Sequence, residues 1–195
     1  EKESIFIITG EALHKTIAAI VPEVNFIVEP MRRDSAAAIG LAAITIEQHD
    51  PNAVLIVIGA DYYIPDKQSY QKHLQFAAEL AQKEDKIITI GITPTRPATG
   101  YGYIHFQKEL IRKDDLVAYA VEKFVEKPDE ATARYYLESG QYLWNSGMFI
   151  FQIKTILREL QEHMPALYNA LQTIKASNFD PKVIYDQFLP LQRIS

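Results

Sequence analysis

Residues 54–61 read Val-Leu-Ile-Val-Ile-Gly-Ala-Asp, an uninterrupted apolar run that ends in a glycine, an alanine and a carboxylate. A run without polar alternation, rich in isoleucine and valine, is typical of a strand buried on both faces of a sheet. The runs Ile5–Ile8 and Ile87–Ile90 have the same character. These three segments therefore predict strands at the centre of the fold.

Segments with helical spacing separate the apolar runs. They are Glu11–Ile20, Ser35–His49 and Lys67–Ala81, and Asp34 and Asp66 precede the second and third as capping or turn residues. Alternating strands and helices imply right-handed crossovers and a largely parallel sheet, whose ligand crevice lies at the carboxyl ends of the strands. The predicted class is α/β, Rossmann-like, with a mixed, mainly parallel sheet covered by helices on both faces.

The pattern changes after Ile92. A loop rich in proline, threonine and glycine, Pro94–Gly100, leads into the alternating segment Tyr101–Gln107, and Ala118–Val125 is a second strand-like run. We expect this part of the sheet to be more antiparallel. The remaining elements are predicted as a helix from Pro128-Asp129 to about Ser139, a strand at Met148–Phe151, a helical pair at Ile153–His163 and Pro165–Ala176, and a last helix beginning at Asp180-Pro181.

Composition restricts the class of protein. The chain has 195 residues, 48% of them hydrophobic, which suits one compact domain that folds without disulfides or a structural metal. It contains no cysteine, which excludes disulfide frameworks, thiolate zinc sites and cysteine nucleophiles. The net charge is −5, and no stretch gathers lysines and arginines into the dense basic face that a nucleic-acid polymer requires. Any phosphate ligand is therefore expected to be small.

The first residues of the chain and the length of its apolar runs indicate where in the cell the protein is located. The longest apolar run, Val54–Ile58, is far shorter than a membrane span, and Glu1-Lys2-Glu3 does not resemble a signal peptide. We expect a soluble, cytoplasmic protein that binds no membrane. Because the chain lacks a starting methionine and opens almost directly into a buried-type strand, we interpret residues 1–195 as one domain that is incomplete at both ends.

Asp61 is the first candidate functional residue. It follows the strongest predicted strand, so its carboxylate is expected at the ligand crevice, where it can hold a divalent cation that bridges phosphates. The alternative is an acid that serves only a turn or a helix cap.

A glycine-containing aromatic loop, Pro97–Tyr103, is the second candidate. Gly100 and Gly102 permit close approach of the backbone to a ligand, and Tyr101 and Tyr103 can wall a sugar. The loop is no dinucleotide fingerprint, because a third glycine and a following helix are missing. The alternative is a tight turn into a hairpin.

Two strand-end segments carry further polar groups. Glu126 can accept hydrogen bonds from sugar hydroxyls while Lys127 offers a point charge to phosphate, although an exposed ion-paired turn is an alternative. The segment Trp144–Gly147 combines an apolar plate, an amide that donates and accepts, and a glycine directly before a strand. It is equally compatible with a turn anchored by the only tryptophan of the chain.

The segment Glu29–Ser35 lies between a predicted strand and a predicted helix. Its arginines and the free amides of the helix can meet a nucleotide, and a solvated helix entry is the alternative.

Taken in order, these segments resemble the nucleotidyltransferase domain of mannose-1-phosphate guanylyltransferases, which also occurs in bifunctional phosphomannose isomerase/guanylyltransferase proteins. The resemblance covers essentially the whole chain, residues 1–195. The blocks that carry it are Glu29-Pro30 with Arg33–Ala36, Ala60-Asp61, Gly91–Thr95 through Gly100–Ile104, Phe124–Pro128, and Trp144–Phe149.

This resemblance implies a nucleotide-diphospho-sugar transferase type of fold and a reaction. GMP would pass from GTP to mannose 1-phosphate by in-line attack on the α-phosphorus, with Mg²⁺ as cofactor and with GDP-mannose and pyrophosphate as products. The oligomeric state is left open between a single chain and a homodimer. Asp61 would bind Mg²⁺, and Lys127 would lie near the sugar phosphate.

The resemblance also distributes the substrate contacts. Glu29 and Pro30, with Arg33 and Ser35 at the helix entry, would lie by the guanine and the ribose. Gly102, Glu126 and Asn145 would hold the mannose, and Gly100, Tyr101 and Gly147 complete the predicted substrate-binding set. We therefore expect Asp61, Gly102, Glu126, Lys127 and Asn145 to be neighbours in one cleft.

The chain departs from the family pattern at several positions. Gly59 and Tyr62 stand where the family usually has proline and histidine, Asp34-Ser35 where it has asparagine-threonine, and Ala98 where it has glutamate. The glycine-rich first loop would precede Glu1, and a second metal-binding aspartate would follow Ser195. Two alternatives stay open: a sister sugar-1-phosphate nucleotidyltransferase for another nucleotide or sugar, and a non-catalytic module that binds a nucleotide sugar.

Overall fold

The structure is a computed structural model and describes residues 2–194. In chain order it contains a 3-10 turn (Lys2–Ser4), β1 (Phe6–Gly10), α1 (Glu11–Ile20), β2 (Asn25–Glu29), α2 (Asp34–Glu47), β3 (Val54–Val57), α3 (Lys67–Glu84), β4 (Ile88–Ile92), β5 (Tyr103–Lys113), β6 (Leu116–Val125), α4 (Glu130–Ser139), β7 (Tyr142–Gln152), α5 (Ile153–His163), α6 (Pro165–Ala176) and α7 (Pro181–Phe188). Within residues 2–194, no helix combines the length and the apolar composition needed to cross a membrane.

The chain forms two compact units. Residues 1–53 together with 152–195 form the first unit, and residues 54–151 form the second. The first unit is discontinuous in sequence because the chain leaves it after Ala53 and returns at Gln152. The two sides of this junction are joined, since the Ile153 amide donates to the Ala53 carbonyl at 3.1 Å.

The first unit contains a parallel β-α-β element. Strands β1 and β2 pair in parallel, with Phe6 opposite Asn25 and Gly10 opposite Glu29, and α1 contacts both strands. The first apolar run therefore forms a parallel strand, as the sequence predicts. Glu29 lies at the carboxyl end of β2, which is the end of a parallel strand where ligands usually bind.

Helices complete the first unit. Helix α2 packs against α5 and α6, and α6 packs against α7. Asp180 caps α7 by accepting from the amides of Lys182 and Val183, as its position before Pro181 predicts. Asp34 is not the cap that the sequence predicts for α2: the N-cap residue is Arg33, and Asp34 is the first helical residue with φ of 62°.

The second unit is built on one sheet. Its strand order is β3-β7-β5-β6, and β4 also pairs with β7. The pairs β4-β7, β5-β6 and β5-β7 are antiparallel. The mixed α/β class is confirmed, but the pairing of β4 is antiparallel, although its apolar run indicates a parallel strand. The burial that the apolar run predicts is also absent from β4: none of its residues is buried, and Ile92 is 45% exposed.

Strand β7 is longer than the sequence predicts. It begins at Tyr142 instead of Met148, so the segment Trp144–Gly147 lies inside the strand. Between Thr89 and Gly91 of β4, the partner on β7 shifts from Phe149 to Asn145. The extra residues form a β-bulge at Ser146–Met148, where Gly147 has a φ of 73° that L side chains rarely adopt. We call this segment the β7 bulge.

Aromatic packing supports the loop that precedes β5. Tyr136 of α4 stacks on Tyr142 with ring centroids 3.8 Å apart, and the ring of Tyr103 lies 5.2 Å from Tyr136. The Tyr103 hydroxyl donates to the Ala98 carbonyl at 2.9 Å. Ala98 is only 2% exposed, so this tyrosine holds the loop Pro94–Gly100 from its buried side.

Candidate functional site

Three predicted sugar-binding residues meet in the second unit. Gly102 precedes β5, Glu126 follows β6 and Asn145 lies in β7. The strands bring them together, because Tyr103 pairs with Val125 on one side and with Trp144 on the other.

Gly102 is the centre of this cluster. The Asn145 amide donates to the Gly102 carbonyl at 2.8 Å. A Cβ atom built on Gly102 would lie 3.0 Å from Glu126 Oε2 and 3.5 Å from Asn145 Cβ. The missing side chain therefore leaves a space bordered by a carboxylate and an amide-bearing residue, the groups that recognise hydroxyls.

The Asn145 side chain has a defined orientation. Its Oδ1 accepts a hydrogen bond from the Gly147 amide at 3.0 Å. This bond places the acceptor of the side-chain amide toward the β7 bulge, and the Nδ2 group keeps two N–H donors.

Lys127 pairs with its neighbour Glu126. Lys127 Nζ lies 3.0 Å from Glu126 Oε1, and the two side chains are 63% and 72% exposed. Ion pairs this exposed contribute little to stability, so a more highly charged ligand can displace Glu126 from Lys127. The backbone of Lys127 has a φ of 39°, an uncommon value for a residue with a side chain. The exposed ion-paired turn considered from the sequence is thus present.

Asp61 is exposed in the loop after β3. Its Oδ1 would lie 3.1 Å from a Cβ atom built on Gly59, so the carboxylate lies beside its own loop. The next residue, Tyr62, donates from its hydroxyl to the Ser146 carbonyl in the β7 bulge. Through Tyr62, the Asp61 loop (Gly59–Tyr62) is joined to the strand that carries Asn145.

Sequence reasoning did not identify Arg96. Its guanidinium carbon lies 5.5 Å from the Tyr101 ring centroid and 5.8 Å from the Trp144 ring, distances typical of cation–π contacts. Tyr101 and Trp144 meet edge to face at 5.1 Å. The only available signal was an arginine four residues before Gly100, in a loop that faces two aromatic side chains only once the chain is folded.

Glu29 lies in the first unit and is a buried acid. It is 8% exposed, and its Oε1 has no hydrogen-bond partner. Burial raises the pKa of the Glu29 carboxyl, Arg32 lowers it and Asp34 raises it. A buried carboxylate oxygen without a donor is costly, so a ligand with N–H groups would stabilise this position.

The other predicted site residues of the first unit are not buried acids without a partner, as Glu29 is. Arg33 donates from Nε to the Phe188 carbonyl at 2.8 Å and from Nη2 to the Leu189 carbonyl at 2.5 Å, so it caps the end of α7. Pro30 directly follows β2, and Ser35 is exposed in the first turn of α2.

A divalent metal would have one carboxylate ligand from Asp61. Among residues 2–194 there is no cluster of three His, Cys, Asp or Glu side chains able to enclose a metal ion. Mg²⁺ is usually held by one or two carboxylates together with phosphate oxygens and water, so a single exposed aspartate fits a metal that arrives with a nucleotide.

Comparison with known proteins shows the family of the chain. The sequence pattern of the family described as "Nucleotidyl transferase" matches residues 7–185. A "Mannose-1-phosphate guanylyltransferase" from Salmonella typhimurium (strain LT2) is 46% identical over 150 residues, which are 76% of this chain and 30% of that protein. The chain thus spans about a third of the length of the curated relatives it matches.

Two solved structures share the fold. One, from Thermus thermophilus and described as a "mannose-1-phosphate geranyltransferase", is 28% identical with a TM-score of 0.83, covering 97% of this chain and 53% of that one. The other, described as a "mannose-6-phosphate isomerase" from Helicobacter pylori, is 29% identical with a TM-score of 0.76, covering 100% of this chain and 76% of that one.

Proposed function

Because the chain belongs to the nucleotidyl transferase family, we propose that it is most of the catalytic domain of a mannose-1-phosphate guanylyltransferase. The full-length protein transfers GMP from GTP to mannose 1-phosphate and releases pyrophosphate. The cluster of Gly102, Glu126 and Asn145 is the observation that carries the proposal, since it offers a hydroxyl-binding space at the meeting point of three strands.

The sugar is held by polar groups of complementary type. The Glu126 carboxylate accepts hydrogen bonds from sugar hydroxyls, and Asn145 Nδ2 donates to a hydroxyl oxygen because its Oδ1 is already used by Gly147. Gly102 lets the ring approach the backbone. Gly100 and Tyr101 lie in the loop before β5, and Gly147 lies in the β7 bulge.

The phosphates are held by charge. Lys127 exchanges its exposed contact with Glu126 for the sugar phosphate, which carries more negative charge than one carboxylate. Asp61 would hold Mg²⁺, which when bound neutralises negative charge on the nucleotide phosphates. An oxygen of mannose 1-phosphate then attacks the α-phosphorus of GTP in line, forming the new P–O bond while the bond to pyrophosphate breaks.

Positioning is the main contribution of these residues. Aligning two bound reactants lowers the barrier by about 7–11 kcal/mol in favourable cases. The attacking phosphate oxygen is already ionised, so Lys127 abstracts no proton and serves as a fixed cation. The strands β5, β6 and β7 supply the rigid support that alignment requires.

The base side is assigned to Glu29. Its buried oxygen without a donor suits the N–H groups of a guanine edge, with Pro30 and Ser35 beside it in sequence. Arg33 acts indirectly, by holding the end of α7 against the entry of α2.

Product formation tests the proposal. The full-length protein, incubated with GTP, mannose 1-phosphate and Mg²⁺, is expected to yield GDP-mannose and pyrophosphate in equal amounts. The absence of GDP-mannose would overturn the proposal. Omission of Mg²⁺ is the control for the cofactor.

A sister transferase is the second candidate, because Gly59, Tyr62 and Asp34 differ from the family pattern near the predicted nucleotide. A panel with UTP and dTTP in place of GTP separates the two, and a preference for either favours the second candidate. A cytoplasmic location and a homodimer stay predictions, to be checked by cell fractionation and by sedimentation velocity.

A further inference from the structure

Tyr62 stands where the guanylyltransferase family usually has histidine, and its side chain contacts the β7 bulge. Its hydroxyl donates to the Ser146 carbonyl. A Cβ atom built on Gly147 would lie 3.2 Å from the Tyr62 hydroxyl. A Cβ atom built on Gly59 would lie 3.1 Å from the edge of the Tyr62 ring. Tyr62 is 41% exposed, so its contacts with its own loop and with the β7 bulge cover only part of the side chain.

The β7 bulge is fixed on its other side as well. Ser146 Oγ donates to the Ile90 carbonyl at 2.6 Å and accepts from the Met148 amide at 3.1 Å. The adjacent Asn145 is bonded to Gly102 through its amide and to Gly147 through its Oδ1. The Ser146 carbonyl accepts the hydrogen bond from Tyr62 of the Asp61 loop.

From these contacts we propose that Tyr62 is a positioning residue: its hydroxyl fixes the Asp61 loop relative to the β7 bulge, and hence the phosphate-side carboxylate relative to Asn145. The inference rests on the proposed function, in which Asp61 serves the nucleotide phosphates and Asn145 serves the sugar. Two substrates held on separate segments react only if the segments keep a constant spacing.

The chemistry of the phenol suits this role. A protonated phenolic hydroxyl donates one hydrogen bond, and the ordinary pKa of tyrosine is about 10. The group therefore stays protonated and keeps its donor throughout the neutral pH range.

Kinetics of the full-length protein provide the first test. Tyr62→Phe keeps the ring against Gly59 and removes only the donor. It is expected to lower kcat roughly two- to tenfold and to raise the Mg²⁺ concentration that gives the half-maximal rate. Tyr63→Phe is the matched control, because Tyr63 is 88% exposed, and it is expected to behave as wild type. A loss of folded protein would lower kcat without changing the Mg²⁺ requirement.

Amide hydrogen exchange provides a readout without substrate. In Tyr62→Phe, exchange at Gly147 and Met148 is expected to be several-fold faster than in wild type and in Tyr63→Phe. Unchanged exchange overturns the inference, and so does faster exchange with an unchanged kcat and Mg²⁺ requirement in an active enzyme. If wild type makes no GDP-mannose, the proposed function fails on its own, and the exchange comparison still decides whether Tyr62 couples the two segments.

Discussion

The Asn145 amide donates to the Gly102 carbonyl at 2.8 Å, so the residue predicted to bind the sugar and the glycine predicted to admit it are held by one backbone contact. The contact exists because β5 and β7 pair in antiparallel register next to it, with Tyr103 opposite Trp144. The spacing of the two residues is therefore set by the sheet and does not depend on a flexible loop.

Gly102→Ala is expected to weaken sugar binding. Its Cβ would lie 3.0 Å from Glu126 Oε2, so that carboxylate must shift by a few tenths of an ångström. We expect the KM for mannose 1-phosphate to rise roughly 10- to 100-fold, because the methyl group occupies the space proposed for the sugar and the shifted carboxylate loses a hydrogen bond worth about 1.5–3 kcal/mol. The KM for GTP and the thermal unfolding midpoint should stay near wild type, because the exposed Glu126 side chain can move. A large fall in the midpoint would contradict this account.

Glu126→Gln tests the acceptor role. The amide keeps the size of the side chain but replaces one carboxylate oxygen with a donor, so the KM for mannose 1-phosphate is expected to rise about tenfold, the value of one hydrogen bond to a charged group. Steady-state kinetics with either substrate varied provide the measurement. The control is Glu130→Gln, an exposed acid paired with Arg134 in α4, which should leave both KM values unchanged. Equal KM values for the Glu126 variant and wild type would remove Glu126 from the sugar site.

Asp61→Asn is expected to abolish most of the activity. A neutral amide is a poor Mg²⁺ ligand, so kcat should fall by a factor on the order of 100 or more, and added Mg²⁺ should restore only part of it. Asp115→Asn, in the exposed connection between β5 and β6, is the matched control. If Asp61→Asn has an activity close to that of wild type, Asp61 is not the ligand of the metal.

Glu29 makes stability depend on pH. Burial raises the pKa of Glu29 in the folded chain above the ordinary value of 4.5, which the unfolded chain has. At a pH between the two pKa values, the folded state therefore binds the proton and the unfolded state mostly does not. This contribution to stability is present at low pH and is lost as the pH rises through the folded-state pKa. Glu29→Gln should therefore unfold at a higher urea concentration than wild type at pH 7. The difference should shrink as the pH falls through the folded-state pKa of Glu29, and it should be small once the pH is below the ordinary value of 4.5.

The exposed Glu138→Gln is the control for the Glu29 experiment, and its urea midpoint should follow that of wild type at every pH. GTP should reduce the difference in urea midpoint between wild type and Glu29→Gln at pH 7, because a bound guanine would supply the missing hydrogen-bond donors to the carboxylate. If the two proteins have the same pH dependence, Glu29 is ionised in the folded state without cost.

Much of the fold was accessible from local sequence patterns. Helices α1, α5 and α6 have the predicted boundaries, because their apolar periodicity and their flanking residues agree. Asp66 caps α3 by accepting from the Ser69 amide, as its position indicates. These features depend on neighbours within a few residues.

The features that sequence missed depend on contacts between distant segments. The antiparallel pairing of β4 and the early start of β7 at Tyr142 follow from which strand lies next to which. The capping role of Arg33 depends on carbonyls more than 150 residues away in sequence. The predicted neighbourhood of Gly102, Glu126 and Asn145 is present in the structure, whereas Asp61 is tied to it through Tyr62, a residue noted in the sequence only as a departure.

The hydrogen bond between Ile153 and Ala53 has a consequence for the order of folding. The first unit can close only when residues separated by about 100 positions meet, and the entropic cost of closing so long a loop must be met before its contacts form. The segment between them is contiguous, and its sheet can start from the β5-β6 hairpin, whose strands are neighbours in sequence, before β3 pairs with β7 at its two ends. We therefore expect the inserted segment to fold early and the discontinuous one to follow.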